Sequence, residues 1–113
     1  MKTNAEIARE LLKGARRRVS VSSGPICIAI DYAAANTRGP YRVMPVARAL
    51  TTWIADMLDG SLFYTSWLFA NHHDLYSNAV KRGDFIDCVR HGRLAWIDWM
   101  LKQDLDAVIR KYK

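Results

Sequence analysis

Only two of the 113 residues are cysteine, Cys27 and Cys88, and neither belongs to a C-x-x-C pair. That excludes a disulfide framework. Each thiol sits inside an apolar run, so both read as reduced residues of a packed core. No uninterrupted apolar stretch approaches the ~20 residues that a membrane span requires. The first residues are polar and carry no apolar signal segment, which leaves a cytoplasm as the expected location and no membrane contact. Internal repeats, low-complexity tracts and flexible linkers are absent, and so is any glycine-rich loop that could cradle a phosphate. Acidic residues are the scarcer sign, 11 against 17 Lys and Arg.

What is present fits one globular domain covering residues 1–113, with half of the residues apolar and a quarter charged. The net charge of +6 is unevenly placed. Residues 1–50 hold nine Lys and Arg against three acids, whereas residues 51–113 hold eight of each. A basic face in the first half could meet nucleic acid or an acidic protein surface.

Hydrophobic spacing predicts an all-α fold, a compact bundle of five or six helices with a long C-terminal helix at its centre. Thr3 and Glu6 have the spacing of a capping box. Ile7, Ala8, Leu11, Leu12, Ala15 and Val19 then recur at three- and four-residue intervals, the mark of a first helix. The alternation on both sides of Ser23-Gly24-Pro25 is compatible with a hairpin over residues 19–30. Pro25 at a first helical position, and the run into Ala33-Ala34-Ala35, favour a buried second helix from Pro25 to Asn36. Asn36 to Met44 reads as irregular because of Gly39-Pro40, with Pro45 opening a third helix that Gly60 stops. Ser61 can cap a fourth helix, a short fifth runs from Asp74 to Lys81, and Asp84 caps the last, expected to reach Lys111.

A set of motifs along this frame carries a resemblance. Ile26-Cys27-x-Ala29-Ile30, Trp53 with Met57-Leu58, Tyr64-x-x-Trp67-Leu68, and Arg93-x-x-Trp96-Ile97-x-Trp99-Met100 follow one another in this order. Over residues 5–101 the pattern resembles a group of short proteins encoded by bacteriophages and prophages. Most of these positions are core aromatics and aliphatics, so the resemblance speaks to fold and brings no functional residues with it. It implies an accessory protein acting in a bacterial host cytoplasm, where such proteins bind and inhibit or redirect a host protein.

Four constellations are candidates for function. Arg16-Arg17-Arg18 closes the first helix while Glu6 and Glu10 open it, an order that the helix dipole alone rewards. With Arg9 and Lys13, and with Arg38 and Arg42 beyond, the same cations form a candidate nucleic-acid surface: Arg9, Lys13, Arg16, Arg17, Arg38 and Arg42. Aromatic interleaving there is thin, limited to Tyr32 and Tyr41. His72, His73, Asp74, Cys88 and His91 include enough ligand types for zinc. Neighbouring histidines diverge in direction, however, so no metal and no cofactor is expected. Cys88 and His91 lie one turn apart as a nucleophile and base would, but no third group or oxyanion site accompanies them, and an enzyme is not expected. Phe85, Trp96 and Trp99 share the last helix with small neighbours Gly92 and Ala95. Large rigid side chains there suit a partner-binding surface, toward a host protein or in a homodimer, although small helical cores also use Trp as filler.

Overall fold

The computed structural model describes residues 2–21, 25–37, 40–57, 73–83 and 85–113, with the backbone alone for residues 40, 41, 75, 76, 79 and 85–88. Six helices account for most of them: α1 (Asn4–Val21), α2 (Ile26–Ala35), α3 (Pro40–Met57), α4 (His73–Lys81), α5 (Phe85–Leu101) and α6 (Leu105–Tyr112). No strand occurs among the described residues. The bundle is all-α, as the spacing predicts, and no described helix is long and apolar enough to cross a membrane.

Helix α1 begins at the expected cap. The Thr3 hydroxyl accepts from the Glu6 backbone N–H at 3.1 Å and donates to Glu6 Oε1 at 3.3 Å. The exchange satisfies a backbone donor that the first turn leaves without an intrahelical partner. Its apolar stripe is buried from Ala5 through Ala8, Leu11, Leu12 and Ala15 to Val19. Each fully buried Leu contributes about 1.5–3 kcal/mol by leaving water. That stripe is wide enough for α1 to touch α2, α3, α5 and α6, which makes α1, and not the C-terminal helix, the shared wall of the bundle.

The second segment is helical, and Val19, Ser20 and Val21, the first arm of the alternative hairpin, are the closing residues of α1. Pro25 sits extended before α2, and its carbonyl accepts from the Ala29 N–H at 3.1 Å. At the other end Asn36 Nδ2 donates to the Tyr32 carbonyl at 2.7 Å, and Thr37 Oγ1 donates to the Ala33 carbonyl at 2.8 Å. Only one side of α2 is buried, through Ile26, Ala29, Ile30 and Ala34.

The third helix starts five residues before Pro45, at Pro40. Proline suits the first helical position, where the absent N–H would have no partner anyway. Pro45 then lies inside the helix and costs the single bond toward the carbonyl of residue 41. The expected stop at Gly60 and the helix expected from Ser61 fall within residues 58–72, outside the described residues.

The last helix is two helices. The Lys102 and Gln103 N–H groups turn back to the Trp99 and Met100 carbonyls, each at 3.1 Å, and Gln103 Nε2 caps the Trp99 carbonyl at 3.1 Å. Asp104 then opens α6 by accepting from the Ala107 N–H at 3.2 Å. The spacing of Leu101, Leu105, Val108 and Tyr112 continues one helical period across the break, which hides it from a reading of hydrophobicity alone. The turn lets Leu105 and Ile109 bury against α1 and α3. Tyr112 secures the end of α6 by donating to Asp56 Oδ2 of α3 at 2.6 Å. That carboxylate holds the Tyr112 phenol above its ordinary pKa.

Candidate binding face between the first two helices

Close packing of α1 on α2 depends on two small residues. A Cβ placed at Gly14 would stand 3.2 Å from the Ala33 Cβ, so the helices meet where neither has bulk. On the solvent side of this contact they splay into an open groove of about 780 Å³. Its floor includes Ile7, Leu11, Ala33 and Val43. Lys13, Arg17 and Arg18 line the α1 wall, and Tyr32, Asn36 and Thr37 line the α2 wall. The Arg18 guanidinium lies 3.8 Å from the centroid of the Tyr32 ring, a cation–π contact that joins the walls. Glu10, also on the rim, is paired with Lys2 at 2.8 Å.

Beside the groove α2 leaves apolar surface in solvent. Ile28 is 58% exposed and Tyr32, one turn later, is 52% exposed, while Val21 at the end of α1 is 83% exposed. A helix that is apolar on several sides normally hides all of them, so the outer side of α2 is a surface suited to a contact. The candidate residues read from the sequence did not include Ile28 or Tyr32 as apolar contacts. Their four-residue spacing, opposite the buried Ile26 and Ile30, is the signal that could have found them.

The cations of α1 separate into two groups. Arg16 leaves the groove and meets Asp98 of α5, with Nε to Oδ1 at 2.7 Å and Nη2 to Oδ2 at 3.2 Å. The Asp98 carboxylate raises the Arg16 pKa through these bonds. Arg16 is therefore half-buried in a bidentate ion pair between helices, a structural role. Arg9 is exposed but is not on the groove, and Arg42 is exposed on α3. Lys13 and Arg17 are exposed and have no carboxylate partner among the described residues. Arg38 lies outside the described residues.

The tryptophans considered for a partner surface pack inward. Trp96 is 4% exposed and stacks on Trp99 with centroids 4.4 Å apart and planes at 19°. Trp99 is half-buried and tilts against the buried Trp53 at 5.9 Å. This cluster joins α5 to α3 and accounts for three of the four tryptophans as core. The Phe85 side chain lies outside the described residues.

Among the described residues the candidate chemistry is dispersed. His73 and Asp74 open α4 and are exposed, and His73 Nδ1 lies 3.4 Å from the Ser77 hydroxyl. His72 and the Cys88 side chain are outside the described residues, and His91 is half-buried on α5. Among the described residues no three His, Cys, Asp or Glu side chains converge. Burial raises the Cys27 thiol pKa, with Asp31 adding to the effect, so its reactive thiolate is disfavoured. Comparison with protein-family models, curated proteins and solved structures found no match to this chain.

Proposed function

We propose that this chain is a protein-binding module whose contact surface is the outer side of α2 and the groove beside it, and that its partner is a bacterial host protein which it inhibits or redirects. The host assignment rests on the resemblance to phage-encoded proteins. The binding mode rests on one observation, the exposed Ile28–Tyr32 strip flanked by the Arg18 guanidinium. Tyrosine and arginine are among the side-chain types that carry most of the energy at protein interfaces, and Ile28 adds apolar area beside them.

The test is affinity capture from nuclease-treated bacterial lysate with the wild-type chain and with Ile28→Ser/Tyr32→Ala. The expected outcome is a protein retained by the wild type and lost by the variant, with helical circular dichroism unchanged. Retention of the same protein by the variant would remove this face from the reading.

Nucleic-acid binding is the second reading, favoured by the exposure of Arg9, Lys13, Arg17 and Arg42. It loses Arg16 to Asp98, and Arg18 already covers one face of the Tyr32 ring. Affinity for an oligonucleotide that falls steeply with salt, and disappears in Arg9→Glu/Lys13→Glu/Arg17→Glu, would favour it over the first.

A further inference from the structure

Four exposed charges on α1 form a pattern apart from the Ile28–Tyr32 strip, although Glu10, Lys13 and Arg17 also border the groove. Glu6, Glu10, Lys13 and Arg17 are all exposed, at spacings of four, three and four. At ~100° per residue these positions fall within an arc of about 60°, one narrow stripe along the helix. Arg9 and Arg16 fall outside that stripe, consistent with Arg16 turning to Asp98. The stripe has two acids in its first half and two bases in its second, and the four positions are symmetric about a point between residues 11 and 12.

That symmetry makes the stripe complementary to itself. If a second α1 lies antiparallel across it, Glu6 meets the partner's Arg17 and Glu10 meets the partner's Lys13. Each pair occurs twice around a two-fold axis, giving four ion pairs. The helix dipole favours acids at a helix start and bases at its end, but it does not require them to share one stripe or to mirror about one point. In the single chain, Lys13 and Arg17 have no carboxylate partner among the described residues, and Glu10 holds only an exposed Lys2. Exposed pairs of that kind contribute little and exchange readily. Val21, the most exposed large apolar side chain described, lines the groove at the end of the stripe and would be covered in part by the partner.

We propose that the chain self-associates as an antiparallel two-fold dimer through this stripe of α1, closed by the Glu6–Arg17 and Glu10–Lys13 pairs between copies. An isologous contact needs a self-complementary patch, and the stripe is one. The paired length is about 16 Å of helix, small against the ~1,200–2,000 Å² of a standard stable interface. A contact this small is expected to be weak, so the test extends to about 1 mM.

Sedimentation of the full chain across a concentration series tests the proposal, using the wild type, Glu10→Lys, Lys13→Glu, their 1:1 mixture and the double variant. These substitutions avoid the cap at Glu6 and every residue of the Ile28–Tyr32 strip. Glu10 and Lys13 border the groove, but sedimentation of the isolated chain reads self-association with no host protein present, so its outcome is separate from that of the lysate capture. The wild type is expected to show a monomer–dimer equilibrium that weakens with salt. Each single variant places like charges opposite each other and is expected to dimerise about tenfold more weakly or worse. The mixture and the double variant each restore two opposite-sign contacts and are expected to recover the dimer. A wild type still monomeric near ~1 mM overturns the proposal. So does a dimer that both single variants leave intact, or a loss that neither the mixture nor the double variant repairs.

Discussion

The two long sides of α1 carry similar residues and meet different fates. On the side facing α5, Arg16 is drawn into a bidentate pair with Asp98 and becomes part of the packing. On the side facing the α2 groove, Lys13 and Arg17 stay in solvent above an apolar floor. Arg16 and Arg17 are consecutive, yet one is a strut and the other is available to a partner. A rotation of ~100° between neighbours and the presence or absence of a carboxylate on the facing helix decide the difference.

The largest effect is expected where the two sides share their support. Leu12 is completely buried on the stripe between them. Leu12→Ala should cost about 2–5 kcal/mol, read as a lower urea midpoint, because the cavity cannot be refilled from either side. A cost under about 1 kcal/mol would mean that α1 is not the common wall.

A smaller effect isolates the groove side. Gly14→Val forces bulk against Ala33, where even a Cβ would stand at 3.2 Å, and should cost about 1–3 kcal/mol. Gly14→Ala should be close to neutral, since a gain in helix propensity of about 1 kcal/mol offsets the tight contact. Equal costs for the two substitutions would refute the close approach of α1 and α2.

The smallest effect separates the cations themselves. A double-mutant cycle over Arg16→Ala and Asp98→Ala should give a coupling of about 0.5–1 kcal/mol that shrinks as salt is added, because both side chains remain nearly half exposed. Lys13→Ala and Arg17→Ala should each change stability by less than about 0.5 kcal/mol. A coupling of zero for Arg16 and Asp98 would erase the distinction between the two sides.

Several features were readable from residue order. The cap at Thr3, the stripe from Ile7 to Val19, the helix after Pro25 and the short helix ending near Lys81 all appear where their spacing places them. Their causes are local: side-chain oxygens reaching nearby N–H groups, and a 3.6-residue period that repeats within one segment. The break at Lys102–Asp104 escaped because the apolar period runs unbroken through it, and only the Asp104 cap marks the new start. The start of α3 escaped because two prolines compete for the first position, and local propensity does not rank Pro40 over Pro45.

Residue order alone determined that this chain forms amphipathic helices, and which side of each is apolar, because those properties are settled within a few turns of backbone. Tertiary structure decided which of those sides found a cover. Trp96 and Trp99 were taken into the core by Trp53, Arg16 was claimed by Asp98, and Ile28 and Tyr32 were left in solvent. Exposure and pairing depend on what a distant segment brings opposite, and nothing in the spacing of one helix encodes the neighbour it will meet.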